Sequence, residues 1–210
     1  MSLRLENLTI LRDGAPMVVL DRTVAPGEVL SVMGPSGCGK STLLACLAGA
    51  LPPVFQARGR VWLDGREITD LPSHARRLGM LFQDDILFPH LSVAGNLGFG
   101  LARGVGDRTG AIEDALREAG LEGMGARDPA TLSGGQRARV ALMRTLLSAP
   151  RGLLLDEAFS KLDTDLRAQM RGFVFGRARA HGLPVIMVTH DIEDARAAGG
   201  PVVDVMGRAL

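Results

Sequence analysis

The chain has 210 residues, 46% of them hydrophobic, and a formal net charge of +1, a composition that suits one α/β domain with a substantial core. The near-neutral charge excludes the basic field of a nucleic-acid-binding protein, and no apolar run reaches the roughly 18 residues that span a bilayer. Because the N-terminus has no long apolar segment and no small-residue cleavage site, we expect no signal peptide and a cytoplasmic protein.

Apolar runs alternate with helical patterns along the chain. Strands are predicted at 3–10, 29–33, 59–63, 78–82, 153–155, 185–188 and 202–206. Helices are predicted at 43–48, 111–119 and 137–147. Continuous apolar strands that alternate with helices indicate a mostly parallel sheet covered on both faces. Since ligands bind at the carboxyl ends of such strands, the polar residues that end them are the candidates for chemistry.

The middle of the chain differs in composition from its two ends. Residues 84 to about 131 are rich in glycine, alanine and charged residues, and the apolar positions of 111–119 share one helical face. We therefore predict a single domain, 1–210, in which 1–83 and 150–210 form the core and 84–149 form a mostly helical insertion.

A glycine-rich loop after the second predicted strand fits the phosphate-binding pattern GxxxxGK[ST]. The loop and the start of its helix comprise Gly34, Pro35, Ser36, Gly37, Cys38, Gly39, Lys40, Ser41 and Thr42. Glycines let the backbone wrap closely around phosphate oxygens, and a helix N-terminus adds partial positive charge. Lys40, one of only two lysines in the chain, supplies a compact charge, and Ser41 offers a hydroxyl to Mg²⁺. A glycine-rich surface turn is the alternative.

Two carboxylates, Asp156 and Glu157, end a buried strand later in the chain. A strand-end aspartate beside a phosphate loop is expected to hold Mg²⁺. The adjacent glutamate has the chemistry to polarise an attacking water molecule. The alternative is that both acids only begin a solvated loop.

A second helix N-terminus follows the segment LSGGQ. Ser133 is a predicted N-cap, and Gly134, Gly135 and Gln136 open the helix. This makes a second anion-binding cradle in the same chain. Because one nucleotide needs only one cradle, the second calls for an explanation.

LSGGQ is the signature of the ATP-binding cassette (ABC) ATPases, and the chain resembles that family along essentially its whole length. Gln83 matches the Q-loop glutamine, Ser160–Asp163 the D-loop and His190 the switch histidine. The resemblance implies a P-loop NTPase (RecA-like) core with an N-terminal antiparallel β subdomain and an inserted α-helical subdomain. It also implies that two copies pair head to tail, with ATP between the phosphate loop of one and the signature helix of the other.

The resemblance assigns a role to each matched residue. Lys40, Gln83, Glu157 and His190 would be catalytic, with Glu157 as general base. Ser41, Gln83 and Asp156 would hold Mg²⁺. Ser133, Gly134, Gly135, Gln136 and Asp163 would serve the ATP bound on the partner copy. The run Leu81–Val93 is similar to importer ATPases, which implies transmembrane permease subunits, a periplasmic solute-binding protein, and a place on the inner face of the membrane.

The chain departs from the family pattern in three places. It has no tyrosine to stack on adenine and offers Leu11 and Arg12 instead, Ala158 replaces a proline, and Lys161 replaces a small D-loop residue. For Lys161 a solvated surface position is the alternative to a functional role. Arg76 and Arg77 are expected to form a solvated turn.

Two questions stay open at the level of sequence. Apolar residues in the segment after Gln83 either line a groove for the permease or pack beneath the helices of the insertion; they are Ile86, Leu87, Phe88 and Leu91. The alternatives to a transport ATPase are a soluble ABC-type ATPase that is not coupled to transport and a P-loop small-molecule kinase, which would have no use for LSGGQ.

Overall fold

Nine strands form two sheets in the computed structural model, which describes residues 1–84 and 86–210. In chain order they are β1 (Leu3–Arg12), β2 (Ala15–Val24), β3 (Val29–Met33), β4 (Phe55–Leu63), β5 (Arg66–Glu67), β6 (Leu78–Leu81), β7 (Gly152–Asp156), β8 (Val185–Thr189) and β9 (Val202–Asp204). One sheet is antiparallel, in the order β2-β1-β4-β5, and the other has the order β6-β7-β8-β3-β9. The pairs β3–β8, β3–β9 and β7–β8 are parallel, as predicted.

The predicted strands are confirmed, with ends that differ by a few residues. Strand β2 was not predicted from the sequence. It alternates half-buried and buried residues only from Met17 to Leu20, and its next three residues are all exposed. Its pairing with β1 is also interrupted by register shifts. A short and irregular alternation of this kind is a weak strand signal.

The helices, in chain order, are α1 (Lys40–Ala48), α2 (Ser73–Arg76), α3 (Val93–Gly100), α4 (Arg108–Glu118), α5 (Gly134–Leu147), α6 (Thr164–Ala180) and α7 (Ile192–Ala198). The predicted C-cap is confirmed at Gly49, which adopts φ 74° and donates its N–H to the last turn of α1. Within the described residues, no helix is both long and apolar enough to cross a membrane.

The chain divides into two compact units. The first comprises 1–80, 151–157 and 171–210, and the second comprises 81–150 and 158–170. The second unit therefore takes in residues beyond the predicted insertion, 84–149, whose assignment as a signature subdomain stays a prediction.

In the first unit, the core lies among both sheets and α1. Its buried members include Leu3, Leu5, Val18, Leu20, Val32, Leu43, Leu44, Leu47, Leu154, Ile186 and Val188. The parallel register places Met33 beside Thr189 and Asp156 beside Val188. The ends of β3, β7 and β8 thus meet at one edge, so the segments that follow them are brought together there.

Arg76 is buried, which contradicts the predicted solvated turn. Its side chain is only 7% exposed. The guanidinium donates to the carbonyls of Cys46, Leu47, Thr69 and Leu71. Burial lowers the pKa of Arg76 from its ordinary value. Because two of the acceptors are C-terminal carbonyls of α1, the cation closes the negative end of that helix.

In the second unit, Asn96 organises the turn that leads into α3. The side chain is fully buried and its amide donates to the carbonyls of Phe88, Leu91 and Ser92. Its Oδ1 accepts from the Phe88 N–H at 2.8 Å. One side chain therefore bonds four backbone groups of the turn, two of which, the Phe88 and Ser92 carbonyls, also accept from backbone N–H groups.

Helices α3 and α5 approach closely in the same unit. A Cβ at Gly100 would lie 2.2 Å from the Arg144 carbonyl oxygen, so this position accepts only glycine. The Phe88 ring lies 4.5 Å from that of Phe99 and 5.2 Å from the Arg144 guanidinium carbon.

Candidate nucleotide-binding site

The phosphate loop joins β3 to α1, and its lysine is turned inward. The Lys40 side chain is 4% exposed, and its Nζ donates to the carbonyls of Gly34 at 2.7 Å and Pro35 at 3.0 Å. The Lys40 ammonium therefore bonds the backbone of its own loop. A phosphate bound by the loop would lie close to this charge.

Gly39 adopts φ 109° directly before α1, and a Cβ there would lie 2.9 Å from the side chains of Met17 and Val18. Both the backbone angle and the available space thus require glycine. No described side chain caps this helix N-terminus. Its backbone N–H groups and positive dipole end are left to interact with an anion, and the loop fits a phosphate ligand.

Asp156, at the end of β7, accepts a hydrogen bond from the Ser41 hydroxyl at 3.2 Å. Burial raises the pKa of Asp156, and the smaller effects of the Ser41 hydrogen bond and the Lys40 charge lower it. A half-buried carboxylate with too little compensating charge is suited to a cation. Hydroxyl and carboxylate oxygens are ligands that Mg²⁺ prefers, and phosphates commonly complete its shell. The pair therefore fits the predicted magnesium site.

Glu157 lies between two other candidate residues. Its Oε1 is 3.7 Å from Lys40 Nζ and its Oε2 is 3.2 Å from His190 Nδ1. The residue adopts φ 45°, a conformation that costs free energy for a residue with a side chain. Its N–H donates to the Val188 carbonyl, so the neighbouring strand β8 fixes this backbone. The first unit thus brings together five predicted residues: Lys40, Ser41, Asp156, Glu157 and His190.

The predicted signature residues belong to the second unit. Ser133 caps α5 as predicted: its hydroxyl accepts from the Gln136 N–H, while the Gln136 side chain accepts from the Ser133 N–H at 2.9 Å. A Cβ at Gly135 would lie 2.3 Å from the Leu166 side chain, so glycine is required for packing. Gly134 follows Ser133 in the first turn.

Gln83 and the D-loop residues also lie in this unit. Gln83 is exposed, two residues after β6 ends. Asp163 caps the next helix by accepting from the Leu166 N–H at 3.0 Å. Lys161 is 53% exposed and forms an ion pair with Asp84, so it is solvated, as expected, but also paired.

Of the two residues expected near adenine, Leu11 is buried in the core at 7% exposure. Arg12 is exposed and lies 3.7 Å from Asp13. The stacking surface offered by this segment is therefore the Arg12 guanidinium alone.

Sequence reasoning missed two residues beside the switch histidine. Arg171 and Asp194 form an ion pair that contacts both neighbours of His190. These residues are separated by 23 positions along the chain and lie in no recognised motif, so only the folded structure brings them into view.

Comparison with known proteins agrees with this geometry. Residues 19–160 match the protein family described as ABC transporter. YnjD of Escherichia coli (strain K12), named an uncharacterised ABC transporter ATP-binding protein, is 50% identical over 177 residues, which cover 83% of this chain and 82% of the relative. The thiamine import ATP-binding protein ThiQ of Cereibacter sphaeroides is 46% identical over 191 residues, covering 89% and 81%.

A solved structure shows the same fold. The cbiO1 protein of Clostridium perfringens, described as part of the ABC transporter complex cbiONQ, matches with a TM-score of 0.84 and 27% identity, covering 99% of this chain and 86% of that one. The predicted fold class and the resemblance to importer-type ATPases are confirmed. The chain therefore belongs to the ABC transporter family and is an ATP-binding, ATP-hydrolysing subunit.

Proposed function

We propose that this chain is the ATPase subunit of an importer for a small solute, in which two copies enclose two MgATP and drive a membrane permease. The observation that carries the proposal is the cluster at the edge of the parallel sheet, where Lys40 and His190 both contact Glu157 while Ser41 contacts Asp156. This set contains a phosphate-binding cation, a metal-binding pair and a general base.

Each residue of the cluster has a defined task in this mechanism. Lys40 exchanges its loop carbonyls for oxygens of the β- and γ-phosphates. Ser41 and Asp156, with Gln83, hold Mg²⁺, which when bound neutralises charge on the phosphates. Glu157 accepts a proton from the attacking water, and His190 contacts the γ-phosphate.

Pairing of two copies accounts for the second helix N-terminus. The capping box of Ser133 and Gln136 fixes the first turn of α5, in which Gly135 is buried and Gly134 is partly exposed. A helix N-terminus of this kind offers backbone N–H groups to an anion. In the proposed head-to-tail dimer these groups bind the γ-phosphate held by the partner copy, and Asp163 helps to couple the two sites. The support is the family to which the chain belongs.

Two features of the second unit support a permease partner. Phe99, whose ring packs at a tilt against that of Phe88, is 68% exposed, and large apolar groups at a surface favour protein contacts. A cleft of about 580 Å³ lies beside α4, lined by residues that include Ala94, Ile112 and Leu116. The relatives are named as import proteins, and the solved neighbour as part of a transporter complex.

A place on the inner face of the membrane and a periplasmic solute-binding protein complete the proposal. In the segment 86–91, where a groove was predicted, Phe88 and Leu91 are half-buried and Ile86 is exposed, and Phe99 further along the chain is also exposed. Serine at Phe88 or Leu91 would therefore disturb packing, and Phe99 is the sharper probe of the partner surface.

The test is to purify the chain together with its membrane permease and compare Phe99→Ser with Val54→Ser. Val54 is 57% exposed in the first unit and serves as the matched control. We expect Phe99→Ser to lower permease association and solute-stimulated hydrolysis while the isolated chain still binds ATP. Val54→Ser should change neither. Full association and stimulation in Phe99→Ser would contradict this partner surface, and hydrolysis that no permease alters would favour the uncoupled ATPase.

A further inference from the structure

A buried polar network lies directly beside the switch histidine. The Thr189 hydroxyl donates to Asp194 Oδ2 at 2.9 Å, and the Asp191 N–H donates to the Thr189 hydroxyl at 3.0 Å. Arg171 Nε donates to Asp194 Oδ1 at 2.6 Å. Arg171 Nη2 also lies 3.7 Å from Asp191 Oδ2. Thr189 and Asp191 are the two chain neighbours of His190, so the network contacts both sides of it.

Burial separates the network from the histidine that it flanks. Asp194 is 2% exposed, and the Arg171 side chain is 13% exposed. His190, by contrast, is 57% exposed and lies 3.2 Å from Glu157. An exposed imidazole would ordinarily have wide rotational and backbone freedom. Here its backbone is bounded on each side by groups that the buried ion pair holds.

Stability alone is a weak reason for such a pair. Desolvation of both charges offsets much of their attraction, and apolar replacements of similar volume are often as stable. A carboxylate that accepts from a hydroxyl and a guanidinium instead fixes directions, because each hydrogen bond requires a set geometry. The arrangement therefore favours a role in positioning.

We propose that Arg171 and Asp194 act as positioning residues for His190 in ATP hydrolysis, an inference that rests on the proposed function. The pair, called here the Arg171–Asp194 brace, holds Thr189 and Asp191 so that the imidazole stays within reach of Glu157. Neither residue of the brace touches the nucleotide. Its loss therefore affects the hydrolytic step and leaves nucleotide binding, which depends on Lys40, in place.

The main test is Asp194→Asn in the full chain, with Asp194→Glu as the conservative variant. We expect Asp194→Asn to lower kcat about 10- to 100-fold, the usual cost of misplacing a catalytic group, with the KM for ATP changed less than about twofold. Asp194→Glu should restore most of the loss. Glu193→Gln on the same helix breaks an exposed ion pair with Arg196 and is the matched control, with kcat unchanged.

A double-mutant cycle separates positioning from general weakening of the fold. In a His190→Ala background, Asp194→Asn should lower kcat by less than about twofold, because the residue that it positions is already gone. An equal further loss in that background would overturn the proposal. If Asp194→Asn fails to fold, Arg171→Lys takes its place in the same cycle, because it keeps the positive charge but loses the guanidinium fork that reaches both Asp191 and Asp194.

The NMR signal of the His190 imidazole gives a readout that does not depend on hydrolysis. We expect it to shift in Asp194→Asn and return in Asp194→Glu, with no change in Glu193→Gln. An unshifted signal would overturn the brace even if the enzyme hydrolyses ATP. A wild-type protein that hydrolyses no ATP, with the signal still shifted by Asp194→Asn, would overturn the proposed function and leave the effect of the brace on the histidine intact.

Discussion

The two compact units hold their candidate residues in different ways. In the first unit, the chemical side chains contact one another, as Glu157 does with Lys40 and His190. In the second unit, the signature residues Ser133 and Gln136 are bonded to each other as a helix cap, and Phe99 is exposed. The first arrangement is suited to chemistry on a bound phosphate, and the second is suited to surfaces that meet other chains. We therefore predict that substitutions in the first unit alter nucleotide chemistry in the isolated chain.

The largest expected effect is that of Glu157→Gln in the first unit. The substitution keeps the size of the side chain and removes the base, so we expect hydrolysis to fall at least ~10²-fold while ATP still binds. Steady-state hydrolysis and equilibrium binding of a fluorescent ATP analogue measure the two quantities. The variant should accumulate as an ATP-bound dimer in the presence of the permease. Elution as monomer alone at saturating ATP would contradict the assigned role.

Lys40→Ala tests binding rather than hydrolysis. Loss of a charge-assisted contact used in the ground state should weaken ATP affinity by about 10- to 100-fold. The matched control is Lys161→Ala, because Lys161 is the other lysine of the chain and lies in the second unit. Equal losses of ATP affinity in both variants of the isolated chain would contradict the claim that nucleotide binding depends on the first unit.

Asn96→Ala tests the second unit by its stability. Removing the amide breaks its four hydrogen bonds to the backbone of the turn, so we expect the free energy of unfolding to fall by about 1–3 kcal/mol. Denaturant unfolding measures the change, and Gln56→Ala, which removes an exposed amide in β4, is the control. ATP affinity of the folded fraction should stay as in the wild type. A loss of affinity as large as that of Lys40→Ala would show that the two units are not energetically separate.

The smallest expected effect concerns Asp156 and pH. Burial raises its pKa in the folded protein, so the folded state holds this proton more tightly than the unfolded chain does. The associated stability is present below the unfolded pKa and is lost as pH rises through the folded pKa. Without Mg²⁺ or nucleotide, the Tm of Asp156→Asn should therefore exceed that of the wild type by a margin that grows from about pH 4 toward neutrality. A margin that shrinks over this range would contradict the sign, and exposed Asp13→Asn serves as control.

Residues whose chemistry demands a particular type and spacing could be predicted from the sequence. The phosphate loop around Lys40, the strand-end pair Asp156 and Glu157, and the cap at Ser133 all lie where their local patterns indicated. Local pattern is sufficient there because each motif spans only a few residues between a strand and a helix.

Residues whose partners are distant could not be predicted in this way. Arg76 was expected in a solvated turn, yet it bonds carbonyls up to 30 positions away. The Asn96 side chain bonds backbone groups of a turn and also accepts from Arg144, 48 positions away. The pair of Arg171 and Asp194 forms only when α6 and α7 pack. An isolated polar residue in a sequence gives no sign that the fold will bury and satisfy it.

The buried guanidinium of Arg76 lies at the end of α1 that is opposite the phosphate loop. Helix α1 has nine residues, so its two termini are about 13 Å apart. One terminus faces the phosphate loop, and the other is anchored by Arg76 through Cys46 and Leu47. Arg76 therefore fixes the C-terminal end of α1. We expect a change at Arg76 to alter the direction of the backbone N–H groups at the N-terminal end of the same helix. A substitution close to Arg76 should therefore change the binding of phosphate at the N-terminus of α1 without contacting the phosphate.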